Sequence, residues 1–211
     1  MRGHSELEFL TAVERGEVVT QKSLSQRIGI AVGLINALVK RSMVRGYVKA
    51  RQAPYKRYAY YLTPEGFAEK SRLVGEYLQS SLEFFRKARG QYTEIFQSAR
   101  RAGHERLAIV GGGELAGIAV LAASSEGIPV VAIIETDARE GSRRFGVLVE
   151  RSLGDVGSLD AVIIADELAP QAVYEGLRGS FPSDRIFAPA LLHITLDRDQ
   201  LIIAAARRGK R

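Results

Sequence analysis

Three glycines and an alanine, in the pattern Gly111-Gly112-Gly113-x-x-Ala116, follow a short apolar run, Arg106-Leu107-Ala108-Ile109-Val110, and open a helical stretch. Glycines in such a loop let backbone amides approach a pyrophosphate, and the positive end of the following helix favours its charge. Gly111, Gly112 and Gly113 are therefore the candidate phosphate contacts. Glu135 stands 24 residues after Gly111, at the end of the next apolar run, where a carboxylate can bind ribose hydroxyls. The expected occupant is a nucleotide such as NAD, or a nucleotide sugar. Glu114 pulls the other way. Its carboxylate either faces the phosphates and repels them, or complements the helix dipole in the first turn. A purely structural tight turn is the competing reading of the loop. Asp166-Glu167, at the end of a later strand, is a minor candidate for a ligand contact, since adjacent carboxylates in a loop are more often solvated.

A second group of residues suits a polyanion. Of the 30 basic residues, nine fall between Val18 and Tyr61, and of the 24 acidic residues none does. A folded stretch of that length without a carboxylate points to a nucleic-acid partner. A helix over 31–45 with Val32, Ile35, Val39 and Met43 buried presents Gly33, Asn36, Ala37, Lys40 and Arg41 outward. Asn36 can make paired hydrogen bonds to adenine, and Lys40 or Arg41 can reach guanine or phosphate. Arg51, Lys56 and Arg57 flank a turn marked by Pro54, and suit the sugar-phosphate backbone.

The elements that must hold these residues follow from periodicity. Ser5 caps a first helix ending near Gly16, and Thr20 caps a short second one with Leu24 and Ile28 at i, i+4. Gly29-Ile30 makes a tight turn before the third helix, which closes at Gly46. Two β-rich stretches, 47–51 and 57–63, form a hairpin. Helix, short helix, turn, helix, hairpin is the order of a winged helix-turn-helix. The stretches Ile28-Gly29-Ile30-Ala31-Val32-Gly33-Leu34-Ile35-Asn36, Arg45-Gly46-Tyr47-Val48-Lys49-Ala50-Arg51 and Tyr61-Leu62-Thr63-Pro64-Glu65-Gly66 resemble MarR-type winged-helix regulators, the exopolysaccharide-associated group in particular. The resemblance covers roughly residues 5–100 and implies a dimeric protein that reads double-stranded DNA.

From Pro64 to about Arg101 a long helix is expected, interrupted only at Gly66, Gly75 and Gly90. Leu78, Leu82, Phe85, Tyr92, Phe96 and Ala99 recur at spacings of about three and four, with Arg89 at one seam position. That stripe predicts a homodimer seam, against the alternative that it packs on its own domain. Beyond Gly103 the grammar changes. Short apolar runs at 106–110, 129–134, 161–165 and 185–188 alternate with helical stretches, implying a mainly parallel sheet covered on both faces. Leu191–Leu196 and Leu201–Ala205 read as a terminal hairpin. This half loosely resembles the Rossmann-like units found ahead of sugar acyltransferase domains and in nucleotide-sensing proteins. The expected fold is thus a winged helix-turn-helix over 1–64, a linking and dimerising helix over 65–103, and a Rossmann-like ligand-sensing domain over 104–211.

Function follows by exclusion as well. No cysteine is present, which removes disulfides, thiolate metal sites and cysteine nucleophiles, and three scattered histidines make no metal site. The N-terminus lacks an apolar signal core, and no run approaches a membrane span, so a cytoplasmic protein without membrane contact is expected. No catalytic constellation accompanies the glycine loop. The leading reading is a transcriptional regulator whose second domain senses a ligand. Redox-sensing repressors that bind NADH share this order of parts, in architecture alone. The alternative is a small nucleotide-dependent enzyme, an oxidoreductase or a sugar-nucleotide-modifying one, with an accessory basic domain.

Overall fold

The computed structural model describes residues 2–15, 21–53, 57–139 and 141–195. The chain divides into two compact units, Met1–Glu83 and Phe84–Arg211, and the division falls inside a helix. Among the described residues, no helix is long and apolar enough to cross a membrane.

In the first unit, α1 (Arg2–Glu14), α2 (Gln21–Ile28) and α3 (Val32–Val44) precede an antiparallel hairpin of β1 (Val48–Ala53) and β2 (Arg57–Leu62). Helix α4 (Pro64–Arg101) follows. This is the winged helix-turn-helix order. Helix α1 begins three residues before Ser5, and Thr20 lies outside the described residues. The turn between α2 and α3 is made by Gly29 at φ +72°, and the Ser25 hydroxyl closes it by donating to the Ile30 carbonyl at 2.6 Å. Phe9, Leu10 and Val13 of α1 meet Leu24, Ile35, Leu38, Val39, Val48 and Leu62 in one core.

The buried stripe of α3 is Ile35, Leu38, Val39 and Ser42; Val32 and Met43, expected inside, are exposed. The helical period sets this. Residues 35, 38, 39 and 42 share one face, while positions 32 and 43, in the first and last turns, rotate away from it. At the start of α4, the buried Thr63 hydroxyl donates to the Gly46 carbonyl and accepts the Gly66 N–H at 3.1 Å. Thr63 as cap and Pro64 in the first turn suit a helix start. A side chain at Gly66 would overlap the Tyr47 carbonyl, so glycine lets α4 lie against the turn between α3 and β1. Helix α4 then runs unbroken through Gly75 and Gly90.

In the second unit the sheet order is β5-β6-β4-β3-β7-β8, with β5 (Arg143–Arg144) antiparallel at one edge. Strands β3 (Leu107–Val110), β4 (Val130–Ile134), β6 (Val147–Glu150), β7 (Ala161–Ile164) and β8 (Ile186–Phe187) are parallel. Taken without the edge strand, the chain fills the sheet as 3-2-1-4-5, the doubly wound Rossmann order. Leu107, Ile109, Ala161 and Ile163 face α5 (Glu114–Ser125) and the C-terminal part of α4, while Val162, Ile164 and α6 (Pro170–Leu177) pack on the other face. Both faces are covered, as continuous apolar strands require.

Tyr92, Phe96 and Ala99, expected in a seam between two copies, are wholly buried in this core. The Tyr92 hydroxyl donates to the Ile164 carbonyl at 3.1 Å. Ala190–Leu192 forms a single 3-10 turn where the first half of a hairpin was expected, and 196–211 lies outside the described residues. Strands β5 and β6 were not anticipated; one is an arginine pair, and the other has three apolar residues before Glu150.

The Asp160 carboxylate ties the starts of β3 and β7, accepting the N–H groups of Glu105 and Arg106, each at 2.8 Å. Those backbone hydrogen bonds hold its carboxyl below the usual aspartate range. A depressed folded-state pKa stabilises the fold above the unfolded-state value and ceases to do so as pH falls through the folded one. Thermal melts should therefore lose stability on acidification below about pH 4, and Asp160→Asn should remove that share of the loss.

Candidate functional site

Two surfaces gather the residues singled out by sequence, one in each unit. On the first, the α3 face opposite its buried stripe carries Gly33, Ala37, Lys40 and Val44, all exposed. Asn36, half-buried, lies on one flank and Arg41 on the other. The open space before Gly33 leaves the helix backbone free to approach a partner closely. Lys40, Arg41 and Arg51 make no salt bridge with another described residue. Arg45, by contrast, is taken up by the buried Glu6 of α1 at 3.4 Å, a structural use of one cation in the basic window.

The hairpin presents Lys49 and Arg51 on its exposed side, paired across the ladder with Tyr61 and Ala59. Arg57 closes the register opposite Ala53, and Lys56 lies outside the described residues. Cations on a hairpin beside an outward helix face have the arrangement that a duplex groove and its phosphates require.

The second surface lies at the carboxyl ends of β3, β4 and β7. Chain order reverses between β3 and β7, and open α/β sheets place ligands at such a switch point. Gly111 leaves β3 at φ +112°, where a Cβ would come within 2.6 Å of the Asp166 amide nitrogen. Only glycine fits that turn. Side chains at Gly112 and Gly113 would overlap the Glu135 and Glu167 carboxylates respectively. The loop, Glu135 and the Asp166-Glu167 pair thus converge.

What fills the convergence is the protein's own charge. The Glu114 N–H, at the start of α5, donates to the Glu167 carboxylate at 3.1 Å, so the positive end of the helix already faces an anion. Asp166 accepts the N–H groups of Leu168 and Ala169 at 2.9 and 2.7 Å, shaping the approach to α6. The Arg144 guanidinium bridges the Gly112 carbonyl and the Glu135 carboxylate, the latter at 3.0 Å. Behind the crevice, burial and the Glu167 charge push the Tyr92 phenol far above the usual tyrosine range.

Arg144 arrives on a hairpin that sequence reasoning missed. Phe145 and Gly146 make its two-residue turn at φ +51° and +82°, the mirror-image geometry hairpins favour. A bulky residue at positive φ is strained. Here the Phe145 ring lies over Gly117 of α5, where a Cβ would meet ring carbons at 2.8 Å. The residue-glycine pair before an apolar run was the available signal. Beside this hairpin a polar cavity of about 280 Å³ is lined by Glu135, Asp137, Arg139, Ser142, Arg143 and Arg144 among others.

No known family profile and no curated protein matches the sequence. Among solved structures, the chain is similar to MepR, a transcription regulator of the Staphylococcus aureus multidrug efflux pump MepA. That match has 10% identity and a TM-score of 0.34, and covers 38% of this chain and 61% of MepR. PcaV, a transcriptional regulator from Streptomyces coelicolor solved with its natural ligand, matches at 23% identity and a TM-score of 0.36, over 46% of this chain and 72% of its own. PigF with SAH matches at 13% identity and a TM-score of 0.24, over 89% of this chain and 56% of its own. This chain thus spans less than two thirds of the MepR and PigF chains. The assignment of a winged helix followed by a Rossmann-like sheet rests on element order and strand topology.

Proposed function

We propose that the protein is a dimeric, DNA-binding transcriptional regulator whose second unit takes a nucleotide or nucleotide sugar. The observation that carries the first part is the outward face of α3, bearing Lys40 between Asn36 and Arg41 with no acidic residue anywhere in the helix. Gly33, Asn36, Lys40 and Arg41 contact the major groove; Arg51, Lys56 and Arg57 contact the backbone. Asn36→Ala relaxes the preference at one base pair by about 1–3 kcal/mol, read by selection of binding sites from random duplexes. Arg51→Ala weakens binding to all sequences and lowers the slope of log affinity against log salt by about 0.9. Unchanged selection and an unchanged slope would refute the assignment.

Self-association is assigned to α4. Val74, Leu78 and Leu82 follow one another at i, i+4 and are exposed, the two leucines at 54% and 51%. Burying one such leucine contributes about 1.5–3 kcal/mol. Leu82→Asp therefore yields a folded monomer in analytical ultracentrifugation, and a dimer that persists would move the interface elsewhere.

The crevice at Gly111, Gly112, Gly113 and Glu135 is the assigned ligand site, supported by the switch-point topology and the glycine-only turn. Glu167 occupies the phosphate space, so an anionic ligand must displace it. Calorimetry with NAD, ADP and a sugar nucleotide tests this. Gly113→Val abolishes binding, while Glu167→Ala strengthens it by about tenfold, the effect of about 1.4 kcal/mol. If no nucleotide binds at millimolar concentration, the unit serves assembly instead. The carboxylates at the crevice are already engaged, Glu167 by the start of α5, Asp166 by the Leu168 and Ala169 N–H groups and Glu135 by Arg144, which favours a sensor over the nucleotide-dependent enzyme. Turnover of any of these nucleotides would reverse that preference.

A further inference from the structure

Helix α3 exposes more apolar surface than a solvated helix needs. Val32 is 41% exposed, Met43 44%, Leu34 58% and Val44 88%. Val32 and Met43 are the residues that rotate out of the core, and the rotation brings them onto one flank with Asn36, four residues after the first and seven before the second. That flank therefore reads apolar, amide, apolar along its length. Beside it the outward stripe begins with Gly33 and Ala37, too small to hold the helix away from a partner.

The partner must be polyanionic, because the exposed polar groups on α3 include Lys40 and Arg41 and no carboxylate. It must also offer apolar groups beside hydrogen-bonding ones. In the major groove the only apolar group is the thymine methyl, and the adenine edge is the one an asparagine side chain matches in pairs. An A·T-rich duplex supplies both. Val32 sits four residues, about 6 Å along the helix, from Asn36, a span of one to two base-pair steps of about 3.4 Å.

We infer that α3 selects A·T-rich duplex DNA by docking thymine methyls on Val32 and Ala37 beside an adenine held by Asn36, with Met43 extending the apolar flank. The inference rests on the DNA-binding reading above and adds the chemistry by which the base pairs are chosen. Leu34 and Val44 lie away from the Asn36 flank and take no part in it.

The test uses the full chain with three duplex polymers at one salt concentration: alternating dA-dT, alternating dA-dU and alternating dG-dC. The dU polymer differs from the dT polymer only by the 5-methyl group. The protein should prefer dA-dT over dA-dU by about fourfold for each methyl contacted, the value of one buried methylene, and bind dG-dC least. Val32→Ser removes both methyls at an exposed position; it should shrink the dT-to-dU ratio while leaving dA-dU affinity within about twofold. Equal affinity for the dT and dU polymers, a ratio unchanged by Val32→Ser, or a preference for dG-dC overturns the inference while leaving DNA binding intact. Failure to bind any of the three overturns the DNA-binding reading as well.

Discussion

Much of the second unit depends on one close approach of backbone to backbone. The chain leaving β3 turns at Gly111 against the amide of Asp166, at the end of the neighbouring strand β7. There is no room for a Cβ, and the left-handed φ would strain any other residue. From that turn follow the direction of α5, the convergence of Glu135 and Glu167 on the loop, and the existence of a crevice at all. A side chain there would push β3 and β7 apart or unwind the first turn of α5. The crevice is thus set by main-chain packing, while its present contents, two carboxylates and an arginine, are set by side chains that can move.

The two candidate surfaces solve opposite electrostatic problems. On α3, cations stand without carboxylates, so a polyanion meets no internal competitor. At the glycine loop, Glu167 already neutralises the helix terminus, and Arg144 already pairs with Glu135. An arriving anion gains little until those internal pairs are broken. Binding and rearrangement are then one event. A ligand that must reorganise charge to enter distinguishes the states before and after entry, which any ligand-dependent shift of population requires.

Much of this architecture could be read from residue order. Four of the five parallel strands were visible as apolar runs because burial on both faces removes the need for alternation. The winged helix showed itself through Gly29, Gly46 and Pro64, residues whose backbone chemistry punctuates helices and turns. The failures have physical causes too. Choosing the buried stripe of α3 as apolar residues at successive spacings of three and four favoured Val32 and Met43 over Leu38 and Ser42, although only the latter pair faces the core. Tyr92 and Phe96 fit a heptad seam as well as they fit a sheet-covering face, because the same spacing serves both. Glu167 could not be assigned as the anion at α5, since 53 residues separate it from Glu114 and only the sheet brings them together.

The six-stranded sheet ends in two very short strands. At one edge stand Arg143 and Arg144, at the other Ile186 and Phe187. Two residues expose too few free amides and carbonyls to recruit a strand from a neighbouring molecule, and paired arginines repel their counterparts on another copy. Among the described residues, the edges of this sheet therefore offer little to edge-to-edge addition. Strand pairing between copies then has longer open edges only on the wing, whose two six-residue strands are each unpaired on one side among the described residues.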